Sequence, residues 1–336
     1  MRSHLAQPHP SAPPPSALGS LVLALALTVV MGWCPPASAN DAPRAADDTA
    51  PHRFTLGERP FAANSSWNTP IPSNAMFEKI AWPPGALFGV AWNTYSPAIH
   101  VTAPSDPVVS VEHPEGWGRP AGVLKLRMPA EADGATGTDG ELLVIDGNIV
   151  HNFWQFKRLG AEKATAQAYA VTNLVTGDGW GREFPFLGAG IVAAGSSQLA
   201  GLLVQAETDR GDIAHALQIA VDAAYAKPGR TGQAINGDGQ NPDGLVQEGE
   251  RLAIPASMTM PPRLSPLGQK VFRAYQTYGA FVIDVAGGIT NLRAQANAYD
   301  RATIVALQKD LTRISPLLQR VRLPARAVSP VEARGR

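Results

Sequence analysis

Two apolar runs joined by a tight-turn sequence constrain the fold of this chain more than any other feature. Residues 141–146 (ELLVID) and 149–156 (IVHNFWQF) flank Gly147 and Asn148. A two-residue link of this Asp-Gly type is typical of antiparallel strands, because glycine readily adopts the positive φ that such turns require. We therefore predict a β-hairpin over residues 141–156, with successive side chains on opposite faces.

The rest of the chain also favours strands. Only 17% of the 336 residues are charged, whereas 30 are proline and 32 are glycine, so charged helix formers are scarce and turn residues are common. Alternating or continuous apolar runs predict further strands at 122–128, 168–175, 199–206, 212–221, 251–254 and 280–285.

Two segments have the periodicity of helices. Ser265 and Pro266 supply an N-cap and a first-turn proline, and Gly279 ends this helix. Apolar residues over 304–321 repeat at three- and four-residue steps, although Pro316 interrupts them. Many short strands with few helices predict a mostly β fold, and specifically a two-sheet jelly-roll sandwich with a few appended helices.

The N-terminal region has the pattern of a targeting segment. An uncharged apolar run at 19–33 precedes two prolines and Ala37-Ser38-Ala39, as in a signal peptide with its cleavage site. The run is shorter than the roughly 20 residues that a membrane span needs, so we expect a secreted or periplasmic protein without membrane association after cleavage. The predicted organisation is a signal peptide (1–39), a flexible leader (40–53), a β-sandwich domain (54–298), a helical segment packed on it (299–323) and a disordered tail (324–336).

Charge and motif content exclude several functional classes. Lys plus Arg equals Asp plus Glu, at 28 each, so the chain lacks the basic excess of nucleic-acid-binding proteins. The single cysteine, Cys34, lies in the predicted signal peptide, which rules out thiolate chemistry in the mature chain. The loop at 236–244 departs from EF-hand spacing and is interpreted as a solvated turn. We predict no cofactor and no metal, and the oligomeric state stays open.

Histidines on predicted strands are the first candidates for chemistry. His151 lies on the hairpin, and His215 shares a strand face with Ile213 and Leu217. Each is a candidate general base, and each could equally be a core histidine with satisfied hydrogen bonds.

Residues near His151 and in one glycine-rich loop are candidates for sugar binding. Trp154 and Trp180 offer flat apolar rings for stacking, and Gln155 offers an amide for hydroxyl groups. Arg158 and Arg182 are candidates, together with Gln155, for neutralising a substrate carboxylate.

One carboxylate also stands out. Asp284 interrupts the apolar run AFVIDV, so it either faces a functional surface or pairs with a buried base. It could be one of the two carboxylates that glycoside hydrolysis uses.

Four segments together resemble a group of secreted bacterial proteins that includes polysaccharide-acting β-jelly rolls. They are FAANSSWNTPIP (61–72), DGNIVHNFWQFKR (146–158), GDIAHALQIAV (211–221) and YGAFVIDVAGG (278–288). The resemblance covers about residues 54–288. It implies a jelly roll with a sugar-binding concave face, with His151, Trp154, His215 and Asp284 near that face.

Three functions are therefore expected. The first is a polysaccharide lyase that cleaves uronate-containing glycans by β-elimination, with His151 or His215 as the base. The second is a glycoside hydrolase with a carboxylate pair that includes Asp284. The third is a non-catalytic glycan-binding module, in which the tryptophans bind sugar and the histidines belong to the core.

Processing of the N-terminus is a direct test of the predicted compartment. We expect the secreted protein to begin at Asn40, because cleavage should follow Ala39. Intact-protein mass spectrometry of the exported product measures this. A soluble cytoplasmic product that retains Met1 would contradict the prediction.

Overall fold

The strands and helices are distributed along the whole described part of the chain. A computed structural model describes residues 52–116, 120–181 and 191–323. Its strands are β1 Met76–Lys79, β2 Phe88–Ala91, β3 Ala98–Val101, β4 Val108–His113, β5 Gly122–Arg127, β6 Leu142–Asp146, β7 Ile149–Trp154, β8 Lys157–Arg158, β9 Lys163–Thr165, β10 Ala168–Asn173, β11 Leu217–Asp222, β12 Ala226–Arg230, β13 Val246–Glu248, β14 Arg251–Ala253, β15 Ala280–Ala286, β16 Thr290–Arg293 and β17 Gln319–Arg322. Its α-helices are α1 Gln205–Arg210, α2 Pro266–Thr277 and α3 Arg301–Ile314.

The predicted hairpin is confirmed. β6 pairs with β7 in antiparallel register, and Asp146 lies opposite Ile149. Gly147 adopts a φ of +61°, the conformation that the turn requires. Asn148 fastens the turn to the start of the fold, because its Oδ1 accepts a hydrogen bond from the Phe54 amide at 2.7 Å.

Three sheets are stacked, and helices cover one side of the stack. The main sheet has the order β1-β17-β14-β15-β11-β16-β2, the hairpin sheet has the order β10-β7-β6-β3, and the outer sheet has the order β5-β4-β9-β8. The two strands β12 and β13 form a small separate pair. Five of the thirteen pairings among the described strands, such as β11 with β15 and β3 with β6, are parallel.

Side-chain alternation places the hairpin sheet and the centre of the main sheet each between two cores. Leu143 and Ile145 of the hairpin sheet pack toward the main sheet, whereas Leu142 and Val144 pack toward the outer sheet. In the main sheet, Val282 packs on the other side, against α2 and α3. Continuous apolar runs such as LLVI are therefore explained by burial on both faces.

The mostly β composition is confirmed, whereas the two-sheet jelly roll is not. A jelly roll consists of two antiparallel sheets, but the described strands form several sheets with parallel as well as antiparallel pairs. The segment 299–323 contributes more than a helix, because β17 pairs with both β1 and β14 in the main sheet.

Two predicted strands are wrong or too long. Residues 199–201 form a turn, and Leu203 makes only an isolated bridge with Ala294 before α1 begins. Most of the apolar side chains of 199–204 fill the core between the main and hairpin sheets. The predicted strand at 212–221 begins only with β11 at Leu217, because the Ala216 amide bonds to the Trp67 carbonyl at 2.7 Å. Apolar content here reflects burial of turns rather than strand pairing.

The two predicted helices are confirmed in their main parts. Ser265 caps α2 by accepting a hydrogen bond from the Gly268 amide at 3.0 Å. α3 ends at Ile314, before Pro316, and the following apolar residues enter a short 3₁₀ turn and then β17.

Several predictions lie outside the described residues. They concern the signal peptide, nearly all of the leader and the C-terminal tail. In the described part of the chain, none of the helices has the length and apolar character that crossing a membrane requires.

Close packing around Gly201 predicts that a larger side chain at this position lowers the stability of the protein. Its φ is +75°, and a Cβ atom would lie 2.5 Å from the Trp67 ring and 2.7 Å from the Leu217 carbonyl carbon. We expect Gly201→Ala to lower the free energy of unfolding by about 1 to 3 kcal/mol more than Gly85→Ala, because overpacking adds to backbone strain. Gly85 is the matched control, since its φ is +89° and a Cβ would meet nothing within 4 Å. Urea denaturation of both variants measures the difference, and equal losses would contradict the packing argument.

Candidate active site

A groove beside the interior strands β15, β11 and β16 of the main sheet is lined by several polar and charged side chains. We call it the acidic groove. Its volume is about 360 Å³, and its lining residues are Ala91, Tyr95, Asp139, Ala220, Asp284, Val285, Ala286, Gly287, Asn291 and Arg293. Small side chains from β11 and β15 leave the space, and polar side chains from neighbouring strands surround it.

A β-bulge turns Asp284 into the acidic groove. Val282 packs against the helices, so strict alternation would place Asp284 on that apolar side as well. The register shifts, however: Ile219 pairs with Val282, and the next residue, Ala220, pairs with Asp284. The extra residue in β15 therefore re-aims the carboxyl group.

Two further carboxyl groups lie beside Asp284. One carboxylate oxygen from each of Asp238, Glu248 and Asp284 lies within 4.8 Å of the other two. Glu248 Oε2 accepts hydrogen bonds from the amides of Asp238 at 2.6 Å and Gly239 at 3.4 Å. Glu248 Oε1 is buried, and no donor among the described residues reaches it. Glu248 therefore holds the 236–244 loop beside the three carboxyl groups. The sequence pattern predicted that this loop is a solvated turn.

Burial favours the protonated forms in this cluster. It raises the pKa of Asp284 to about 7, and the nearby Arg293 guanidinium only partly opposes this. It also raises the pKa of Glu248, to which the Asp238 charge adds. Carboxyl groups that hold a proton near neutral pH can serve as general acids, and the oxygen set could also bind a cation.

A buried ion pair forms the floor of the acidic groove. Arg293 Nη2 donates a hydrogen bond to Glu141 Oε1, and both side chains are only about 4% exposed. Burial lowers the pKa of Arg293, but the Glu141 carboxylate outweighs it and the pKa is raised overall. Gln198 Nε2 donates to the same Glu141 oxygen at 3.2 Å. The guanidinium is therefore charged, and its Nη1 is buried without a hydrogen-bond partner among the described residues.

The hairpin sheet is connected to this floor by buried amides. Asn152 Oδ1 accepts hydrogen bonds from Ser197 Oγ at 2.8 Å and from the Gln198 amide at 2.9 Å. Gln218 Nε2 donates to the Gln198 carbonyl at 2.8 Å. These contacts hold the residues behind the groove in fixed positions.

Aromatic side chains lie at the opposite wall. Tyr95 is half exposed and has a positive φ of +57°. Trp154 Nε1 donates to Asp139 Oδ1 at 3.3 Å, and the Gln155 backbone amide donates to the Asp139 carbonyl at 2.6 Å. Trp154 and Gln155, predicted to bind sugar, thus contact a residue that lines the groove.

His151 has different surroundings from those expected. It lies opposite Val144 in the hairpin sheet and therefore faces the outer sheet. Its Nδ1 lies 2.9 Å from Tyr169 Oη, and burial lowers its pKa to about 4. The predicted concave face is covered by a second sheet, since the hairpin sheet is packed on both sides.

His215 lies before β11 rather than on a strand, and it is buried. Its Nε2 lies 2.9 Å from Glu207 Oε2, and its Nδ1 lies 2.8 Å from the Ala216 carbonyl. The cavity beside it has a volume of only about 10 Å³. This contact set fits the core interpretation rather than contact with a polymer.

The remaining predicted binding residues are dispersed. Trp180 is almost fully buried and stacks on Trp67 with ring centroids 5.0 Å apart, so it belongs to the core and cannot stack on a sugar in this state. Arg158 Nη2 donates to the carbonyls of Pro129 and Ala130. Arg182 lies outside the described residues.

The structure therefore brings together a different set of side chains from the catalytic residues that the sequence predicted. Of the three predicted catalytic residues, only Asp284 lines the acidic groove. Glu248 and Arg293 were missed because each lies in a short, mostly polar strand, VQE or TNLR, whose sequence gives no sign that the side chain is buried. Asp238 carried a signal, since its loop is rich in oxygen donors.

Comparison of the chain with protein-family models, curated proteins and solved structures finds no match.

The buried His215–Glu207 pair predicts how stability depends on pH. Burial lowers the pKa of His215, but the Glu207 charge and hydrogen bond outweigh it, so the folded-state pKa is raised above 6.5. The pair's contribution is fully present below the unfolded pKa and is lost as pH rises through the folded pKa. We therefore expect the stability difference between wild type and His215→Gln to shrink from about pH 5 to about pH 9 in urea denaturation.

His52→Gln is the control for this measurement, because His52 is largely exposed. Its difference from wild type should change little with pH. A His215→Gln difference that grows with pH would show that the imidazole is neutral in the folded state.

Proposed function

We propose that the protein is a glycoside hydrolase, with Asp284 as general acid and Asp139 as the second carboxylate. The observation that carries the proposal is the presence of both residues on one open groove, one of them with a raised pKa. Glycosidases need an acid that protonates the leaving oxygen and a carboxylate that attacks or activates water. When two carboxyl groups lie in different environments, their pKa values differ, and this difference decides which group acts as the acid and which acts as the carboxylate.

The surroundings of the two residues support this division. Asp284 is enclosed by β11 and β15 and lies beside Asp238 and Glu248, so its proton is retained near neutral pH. Asp139 accepts a hydrogen bond from the Trp154 indole, which orients its carboxyl group at the other side of the groove. Glu248 does not line the groove, and its proposed role is to hold the 236–244 loop beside Asp284.

The β-elimination reaction has less support. A general base must reach the substrate, but His215 is buried against Glu207, and His151 faces the outer sheet with its Nδ1 beside the Tyr169 hydroxyl. Polysaccharide lyase activity is therefore an alternative outcome of the experiment below. Secretion and a carbohydrate substrate remain part of the proposal and rest on the sequence pattern.

Amide substitutions in the acidic groove test the hydrolase. We expect Asp284→Asn and Asp139→Asn each to lower kcat by about 10²- to 10⁴-fold, because each removes a proton-transfer or nucleophilic group. Wild-type activity should fall as pH rises through about 7, since Asp284 then loses its proton. New reducing ends released from a panel of glycans measure the rate.

Asp209→Asn is the matched control, because Asp209 is exposed and lines a different groove. It should leave the rate unchanged. Products with a new ultraviolet absorbance and a dead His151 variant would instead indicate β-elimination. No product on any glycan, from folded protein, would contradict both enzymatic proposals.

A further inference from the structure

One hydrogen-bond donor on the floor of the acidic groove has no partner among the described residues. Arg293 lines the groove and is only 3% exposed. Its Nη2 donates to Glu141 Oε1, whereas its Nη1 is buried and meets no acceptor in the described part of the chain. A buried donor without a partner is unfavourable, so the groove favours a ligand that brings an acceptor oxygen to this nitrogen.

The charges around this donor favour a neutral acceptor. The Glu141 carboxylate to which Arg293 is bonded compensates the guanidinium charge. Asp139 and Asp284 line the same groove, and Asp139 lies close enough to Arg293 to interact with it electrostatically. A ligand carboxylate would accept a hydrogen bond from Nη1 but would also meet these carboxyl groups, whose repulsion is weakly screened in a partly enclosed groove. A ligand ammonium group would leave Nη1 without an acceptor.

The recessed position of Nη1 favours an acceptor on a projecting arm. A hydroxyl oxygen is attached directly to the sugar ring, whereas an acetamido group carries its carbonyl oxygen on an arm that extends away from the ring. Small residues make room for such an arm and its methyl group in a volume of about 360 Å³, namely Ala91, Ala220, Ala286 and Gly287. Tyr95 is half exposed on the same groove and offers an aromatic face to the sugar ring.

We propose that the acidic groove binds glycans that carry N-acetyl groups, with Arg293 Nη1 donating a hydrogen bond to the acetamido carbonyl oxygen. The proposal rests on the proposed hydrolase for its carbohydrate ligand, and it adds the substrate class and a residue that determines it. Arg293 takes no part in proton transfer. The carboxyl groups of the groove disfavour the uronate polymer that the sequence pattern predicted.

Four oligosaccharides of equal length test this selectivity. They are β-1,4-linked oligomers of N-acetylglucosamine, glucose, glucosamine and glucuronic acid. Isothermal titration against the Asp284→Asn protein measures binding without turnover. The N-acetylglucosamine oligomer should bind at least about 10-fold more tightly than each of the others, because it alone pairs a neutral projecting acceptor with the charged donor.

Arg293→Lys on the same background tests the donor itself. Lysine keeps a positive charge for Glu141 but lacks the second nitrogen of the guanidinium fork. The N-acetylglucosamine oligomer should bind about 10-fold more weakly, and binding of the glucose oligomer should change little. Arg320→Lys is the matched control, because Arg320 is also buried and paired with a glutamate, Glu250, but lies on β17 away from the groove lining. It should change neither affinity.

Each result supports or overturns the proposal. Glucose, glucosamine or glucuronate oligomers that bind as tightly as N-acetylglucosamine would overturn it, even if hydrolysis is confirmed. Absence of binding by all four would also overturn it. Selective binding of N-acetylglucosamine without cleavage of any oligomer by the wild type would support the selectivity and contradict the proposed hydrolase.

The Arg293→Lys result decides the assignment of the donor. Selectivity that persists in this variant, folded by circular dichroism, would overturn the role of Nη1. If the variant does not fold, the comparison of the four oligomers on the Asp284→Asn protein still decides whether the groove selects N-acetyl groups.

Discussion

The buried ion pair between Arg293 and Glu141 is the interaction on which the acidic groove depends. Transfer of both charges from water is costly, and the cost is offset only when geometry and additional hydrogen bonds are good. Gln198 supplies one such bond, and the Asn152 amide holds Gln198 in place. Because Arg293 belongs to the main sheet and Glu141 precedes the hairpin sheet, the pair fixes how the two sheets meet.

One wall of the groove follows from that pair by strand periodicity, and the other follows from chain proximity. Asn291 lies two residues before Arg293 and shares its face of β16, while Leu292 points into the helix-side core. Asp139 lies two residues before Glu141, and it also lines the groove. A change that separated the two sheets would therefore displace both walls together, although neither Asn291 nor Asp139 contacts the ion pair in the hydrogen bonds described.

The elements that could be predicted are those set by local chemistry. The hairpin depends on a turn glycine, and α2 depends on the cap and proline at its first turn, so both are legible in a few adjacent residues. The boundary of β11 could not be predicted, because it depends on a contact with distant Trp67. The direction of the Asp284 side chain depends on a β-bulge, and a bulge can be recognised only when the partner strand is known.

The two predicted histidines lie in separate surroundings for a related reason. A polar residue in an alternating strand faces either solvent or a neighbouring layer, and periodicity alone does not distinguish these. The stacked sheets supply a neighbouring layer for His151, and a buried carboxylate supplies a partner for His215. Asp284 differs because the bulge carries it away from the apolar core that its neighbour Val282 enters. A carboxyl group that interrupts an apolar strand is therefore more informative than a histidine in the same setting, since its charge cannot enter a core without a partner.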